Sequence, residues 1–219
     1  MNRQEIRTRI EETGIVPAIR ISSAEGAQFA AEAVAAAGIP IVELTMTVPG
    51  ALDVIADLAR NSPRVMVGAG TVLDLETARA CVDAGAMFLT SPGLDLALVE
   101  FALKEGVVVF PGALTPTEIL TAWRAGSDFV KVFPCAEVGG ANYIRAVKAP
   151  FPQVPLIAAG GVNQKTAGEF ILAGASALGI GADLIPPEAI RLRQADWICE
   201  LAHRFSHIVK SSRAQRMGH

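Results

Sequence analysis

Two charged side chains stand where charge is costly. Lys131 lies in Asp128-Phe-Val-Lys-Val-Phe-Pro134, an apolar run too short for a helix, and Glu43 lies in Pro40-Ile-Val-Glu-Leu-Thr45. The other four of the five lysines (Lys104, Lys148, Lys165, Lys210) sit in polar, helix-like surroundings. A lysine in a strand-like run is seldom buried without a partner. Desolvation disfavours an ammonium ion, and an amine held neutral attacks carbonyl carbons, the chemistry of Schiff-base enzymes. The alternative is a lysine whose stem packs while its head reaches water. A strand glutamate is commonly a solvated face or an ion-pair partner. Opposite a lysine it serves proton transfer, structural pairing, or both.

The absences narrow the chemistry. Histidines occur only at positions 203, 207 and 219. No acidic cluster accompanies a histidine near either charged residue, so no metal site and no cofactor is expected. Cys135 has no histidine base nearby and reads as a lining residue, with a reactive thiol as the other reading. The three cysteines are far apart, which suggests a reducing compartment rather than a disulfide framework. Net charge is -3 without a basic run, so nucleic acid is not an expected partner. The longest apolar stretch, Phe29 to Val42, is broken by Glu32, Gly38 and Pro40 and is no membrane span. The N-terminus is charged and lacks an apolar signal core, which leads to a cytoplasmic expectation.

The elements that must position Lys131 and Glu43 alternate regularly. Short β-like runs occur at Ile15–Ile19, Ile41–Leu44, Val65–Val67, Met87–Thr90, Val107–Phe110, Phe129–Phe133, Leu156–Ala158 and Ala177–Ile180. Helical stretches between them include Ala24–Ala37, Leu75–Ala84, Thr117–Ala125 and Lys165–Ala173, each ending in Ala-Gly, a C-cap signal. Eight such units predict a single α/β domain over 1–219 with the (β/α)8 TIM-barrel architecture. Met1–Thr13 adds an extra N-terminal helix, Trp197–Val209 forms another amphipathic helix, and Ser211–His219 is expected to fray. A doubly wound sheet is the runner-up, but no glycine fingerprint follows the first strand.

In such a barrel the active site lies at the carboxyl ends of the strands. Those ends carry Arg20; Glu43 with Thr45 and Thr47; Gly68-Ala-Gly-Thr71; Ser91-Pro92-Gly93; Pro111-Gly112; Lys131 with Phe133; Ala159-Gly160-Gly161; and Gly179-Ile-Gly181-Ala182. Only Arg20, Glu43 and Lys131 are ionisable there, and all three could point into one pocket. The glycine loops at 160–161 and 179–181, each followed by a helix, suit an anion held by backbone N–H groups.

These segments, in this order, resemble the 2-keto-3-deoxy-6-phosphogluconate aldolase family, also called 4-hydroxy-2-oxoglutarate aldolase. The resemblance spans roughly residues 5–210 and rests on Ile15-Val-Pro-Ala-Ile-Arg20, Val42-Glu-Leu-Thr-Met-Thr-Val-Pro49, Gly68-Ala-Gly-Thr-Val72, Ser91-Pro-Gly93, Phe110-Pro-Gly112, Val130-Lys-Val-Phe-Pro134, Gly160-Gly-Val162 and Gly179-Ile-Gly181. It implies a class I pyruvate aldolase, an aldehyde-lyase of Entner–Doudoroff carbohydrate metabolism, with a homotrimeric habit. It places the Schiff-base lysine on Lys131 and the acid/base glutamate on Glu43. The carboxylate end of the substrate falls to Thr71 and the Pro92 region, and the far end to Gly160, Gly161, Gly181 and Ala182. Some members carry an arginine where this chain has Thr47, which leaves Arg20 to supply positive charge.

The implied substrate is a 2-keto-3-deoxy (6-phospho) sugar acid, and the implied products are pyruvate and an aldehyde such as glyceraldehyde 3-phosphate. The 6-phosphogalactonate analogue, 4-hydroxy-2-oxoglutarate and an unphosphorylated acid are the alternatives. Many phosphate-using members have threonine where this chain has Ala159 and serine where it has Ala182, and Asp183 adds a charge beside that loop. A catalytically silent phosphosugar-binding barrel is the competing reading, and it leaves Lys131 and Glu43 without a purpose.

Overall fold

The computed structural model describes residues 1–218. The first half of the chain runs α1 (Arg3–Thr13), β1 (Ile15–Ile19), α2 (Ala24–Ala36), β2 (Ile41–Thr45), α3 (Ala51–Asn61), β3 (Met66–Gly70), α4 (Leu75–Asp83), β4 (Phe88–Thr90) and α5 (Leu96–Lys104). The second half runs β5 (Val108–Phe110), β6 (Gly112–Ala113), α6 (Pro116–Arg124), β7 (Val130–Val132), α7 (Gly140–Lys148), β8 (Leu156–Ala159), α8 (Ala167–Leu172), β9 (Ala177–Ile180), α9 (Pro187–Arg191) and α10 (Ala195–Met217). Every recorded strand pair is parallel, in the order β5-β4-β3-β2-β1-β9-β8-β7-β6. The expected barrel is therefore present.

It has nine strand segments rather than eight because the fifth strand is cut at Pro111. Proline has no N–H to give to a ladder. β5 pairs with β4 and β6 pairs with β7, so the two ends of the sheet are joined through Pro111 itself. Its carbonyl still accepts from the Lys131 N–H at 2.9 Å.

The period-two alternation of side chains sorts the barrel interior into layers. The lower layer is Val16, Ile41, Met66, Phe88, Val108, Phe129, Ile157 and Ala177, all buried in one apolar cluster with Phe110 and with Ile6 and Ile10 of α1. Phe88 stacks on Phe110 at 5.2 Å, and Phe110 meets Phe129 edge-on at 6.0 Å. Two residues further along seven of the strands come Ala18, Glu43, Gly68, Thr90, Lys131, Ala159 and Gly179, and in the fifth Gly112 follows two residues after Phe110. Five of these eight are alanine or glycine, and that leaves room for the long side chains of Lys131 and Glu43. Gly68 is required for a second reason, since a Cβ there would overlap the Phe88 ring.

α1 plugs the end of the barrel away from the strand carboxyl ends. Arg3 holds it by pairing with buried Asp128 at 3.0 Å, and Asp128 also accepts from the Val109 N–H at 2.9 Å. The Ala-Gly helix ends are as expected. Gly38, Gly85, Gly126 and Gly174 all take positive φ just past their helices.

Two expectations are corrected. The tail from Ser211 does not fray. α10 continues to Met217 with Ser212 buried, while His219 lies outside the described residues. Arg213 donates to the carbonyls of Glu11, Glu12 and Ser176 at 2.6–2.7 Å, and Arg216 to that of Ile171 at 3.0 Å. The carbonyls of Glu11, Glu12 and Ile171 lie in the last turns of α1 and α8, where a helix lacks donors, and that of Ser176 lies just before β9. Nor does a helix start at once after either glycine loop. A turn at Asn163–Thr166, closed by Asn163 accepting from the Lys165 and Thr166 N–H groups, precedes α8, and α8 and α9 are only 6 and 5 residues long.

Candidate active site

Lys131 and Glu43 meet in the barrel although β7 and β2 are not neighbours in the sheet. Their side chains are 13% and 3% exposed, and the Lys131 Nζ lies 3.5 Å from the Glu43 Oε1. Both strands deliver them by the same inward parity that buries Phe129 and Ile41 one layer below. The Lys131 Nζ also donates to the Thr90 Oγ1 at 3.2 Å and lies 5.7 Å from the centre of the Phe133 ring. A Cβ at Gly70 would overlap the carboxyl end of Glu43, so that glycine makes the space in which the carboxylate lies.

A cavity of about 320 Å³ opens above the pair. Arg20, Glu43, Lys131, Phe133, Gly160, Gly161, Gly181 and Ala182 all line it, as the strand-end reading expected. Asp183 and Ala159 line it too, which puts a carboxylate on the same wall as the glycine loops. Gly160 and Gly161 take φ of 85° and 76°, a region that disfavours any residue with a Cβ. At Gly161 a Cβ would also overlap the Cβ of Ala136. At positions 160 and 161 the wall is therefore bare backbone.

Three expected residues are not brought into this cavity. Thr47 lines an adjoining pocket of about 680 Å³ with Arg20, Ser22 and Ser23, and its Oγ1 is 2.8 Å from that of Thr45. Arg20 thus borders both spaces, and among the described residues it makes no ion pair or hydrogen bond. Thr71 and Pro92 are not among the lining residues. Thr71 nonetheless has a φ of 58°, which costs a threonine about 1–2 kcal/mol. The Pro92 carbonyl packs so closely on Gly112 that a Cβ there would overlap it, and Gly112 is in register with Lys131.

Cys135 does not line the cavity, contrary to expectation. It is fully buried, and burial pushes its thiol up to about 12, so almost no thiolate exists at neutral pH. Thr90 is the residue that sequence reading missed. The available signal was a polar side chain at the end of Phe88-Leu-Thr90, on the same parity as Phe88.

The geometry is that of a buried amine and carboxylate at the mouth of a parallel barrel, under a cavity sized for a small polar molecule. The chain matches the family described as "Aldolase: KDPG and KHG aldolase" over residues 6–201. It is 33% identical over 192 residues to the 2-dehydro-3-deoxy-phosphogluconate aldolase of Pseudomonas aeruginosa, covering 88% of this chain and 86% of that one. It is also 33% identical over 189 residues to the KHG/KDPG aldolase of Escherichia coli K12, covering 86% and 88%. The crystal structure of KDPG aldolase from Legionella pneumophila, with pyruvate captured as a covalent carbinolamine intermediate, superposes with a TM-score of 0.84 at 31% identity, covering 90% of this chain and 96% of that one. Match, identity and superposition span the same barrel that carries Lys131 and Glu43, and the chain belongs to the KDPG and KHG aldolase family.

Proposed function

We propose that this aldolase cleaves a 2-keto-3-deoxy sugar acid to pyruvate and an aldehyde through a Schiff base on Lys131. The observation that carries the reading is the Nζ of Lys131, nearly buried, 3.5 Å from the Glu43 carboxylate and facing the cavity. The carboxylate is a proton acceptor for the ammonium, which frees the lone pair for attack on the C2 ketone. Glu43 returns that proton to the carbinolamine hydroxyl, which leaves as water, so an iminium forms and Glu43 is a carboxylate again. The iminium draws in the electrons of the C3–C4 bond while Glu43, directly or through a water, takes the proton from the C4 hydroxyl. The aldehyde departs and an enamine remains. Protonation of the enamine at C3 and hydrolysis then release pyruvate and restore the amine. Gly160, Gly161, Gly181 and Ala182 face the tail of the substrate. Every step is acid–base or covalent chemistry of the chain's own groups, so the reaction draws on no cofactor or metal.

Incubation with pyruvate and borohydride tests this directly. A reduced pyruvyl adduct is expected on Lys131 after digestion and mass spectrometry. An adduct on another lysine, or none, would falsify the Schiff-base assignment and favour the silent barrel.

The tail subsite bears on substrate choice. Ala159 and Ala182 present methyl groups there, and Asp183 adds negative charge. A hydrogen bond to a charged group is worth about 1.5–3 kcal/mol, so two absent hydroxyls weaken a phosphate subsite appreciably. The preference for a 6-phosphorylated over an unphosphorylated acid is therefore modest. Ala159→Thr with Ala182→Ser should raise kcat/KM selectively for the phosphorylated substrate, by about tenfold or more. A wild type that already discriminates by about four orders of magnitude, or an unchanged ratio in the double variant, contradicts this.

The assembly we propose is a homotrimer. Leu73 and Leu96 are exposed beside the starts of the neighbouring helices α4 and α5, and an interface would cover them. Light scattering at micromolar concentration should give three times the chain mass, and a monomer there would refute it. No helix of the described residues is long and apolar enough to cross a membrane.

A further inference from the structure

We propose that Thr90 is a positioning residue for Lys131: its hydroxyl accepts an N–H of the amine and fixes the direction in which the nitrogen meets the substrate. This inference rests on the Schiff-base reading above.

Three observations carry it. Thr90 is fully buried at the carboxyl end of β4, and its Oγ1 accepts from the Lys131 Nζ at 3.2 Å. That distance is shorter than the 3.5 Å to Glu43, which lies beyond normal hydrogen-bond length. The hydroxyl, not the carboxylate, is therefore the directional partner of the amine. Thr90 is also absent from the cavity lining, whereas Lys131 and Glu43 are in it. It thus holds the lysine from the side away from the substrate, and it acts through the nitrogen rather than on the reacting carbon.

The chemistry gives this contact a consequence. A free amine can rotate about its Cε–Nζ bond, and the long lysine stem has many rotamers. Once the iminium forms, the nitrogen keeps a single N–H in the plane of the C=N bond. An acceptor fixed at Thr90 therefore fixes that plane, and with it the face of the enamine turned towards the aldehyde and Glu43. Apolar neighbours cannot do this. In register with Thr90 on the adjoining strands are Gly70 and Phe110, neither of which offers a side-chain acceptor. A satisfied core hydroxyl with no effect on the reaction is the bland alternative.

The test compares Thr90→Val, which keeps the shape and removes the hydroxyl, with Thr90→Ser, which keeps the hydroxyl and removes the methyl. Both are assayed for the rate of borohydride-dependent pyruvyl adduct formation on Lys131, for kcat and KM, and for melting temperature. Valine is expected to slow adduct formation and kcat about tenfold while KM stays within about twofold. Serine is expected to keep both rates within about threefold of wild type. Should valine fail to fold, Thr90→Ala against Thr90→Ser makes the same comparison, since neither has the methyl and only serine has the hydroxyl. Wild-type rates in the valine or alanine variant overturn the proposal. So does a defect that serine shares equally, because that would report packing. Absence of any adduct in the wild type itself overturns the Schiff-base reading, and this one with it.

Discussion

Lys131→Arg is expected to lower kcat/KM by roughly 10⁴–10⁶-fold, on the scale seen when a covalent nucleophile is removed. Arginine is the informative substitution because it separates chemistry from charge. Glu43 is 3% exposed and pairs with Lys131. Removing the cation outright leaves a buried carboxylate unpaired, which costs several kcal/mol and confuses an activity loss with unfolding. A guanidinium keeps the positive charge but is not deprotonated in a protein and forms no Schiff base here. The variant should stay folded by circular dichroism, give no pyruvyl adduct, and be inactive. Lys131→Ala should be equally inactive and less stable. Residual turnover above about 1% of wild type in the arginine variant would mean that the amine is not the nucleophile.

Glu43→Gln should cost about 10²–10⁴-fold in kcat, the usual worth of a positioned acid–base group. Glutamine fits the space left by Gly70 and keeps an oxygen near the lysine, so size and packing change little. It cannot take the C4 hydroxyl proton or return one to the enamine. Because the amine itself remains, borohydride trapping of pyruvate should persist at least in part. The two variants are therefore distinguished by what they trap, not only by how slowly they turn over. Near-normal turnover by the glutamine variant would leave Glu43 as a structural partner of the lysine alone.

Much of the site was legible in the sequence, and the reason is periodicity. Strand and helix alternate visibly, and within a strand the inward face recurs every second residue. Phe129, Lys131 and Phe133 share one parity on their strand, and Ile41, Glu43 and Thr45 share one on theirs. A buried apolar residue below each charged one fixed the direction in which the charge must point. Arg20, Phe133 and the glycines at 160, 161 and 181 followed from the rule that barrel sites form at strand carboxyl ends.

What the sequence did not determine depends on contacts between elements far apart in the chain. Thr90 carries only a weak signal in its own run, a polar side chain on the parity of Phe88, and its bond to Lys131 spans 41 residues. Only barrel closure, which sets the height of one strand against another, makes them meet. The same registration sends Thr47 into a neighbouring pocket while Arg20 borders both. Arg213 reaches carbonyls 201 and 202 residues away, and backbone acceptors leave no trace in side-chain pattern, so the tail read as frayed although it is docked. The split at Pro111 lies between these cases. The missing N–H is written in the sequence, but the tertiary structure decides that the two halves pair with different neighbours and so complete the ring. Local periodicity is set by residues a few positions apart and survives in the sequence. The distances between strand ends are set by closure of the whole barrel, and no segment of the chain encodes them alone.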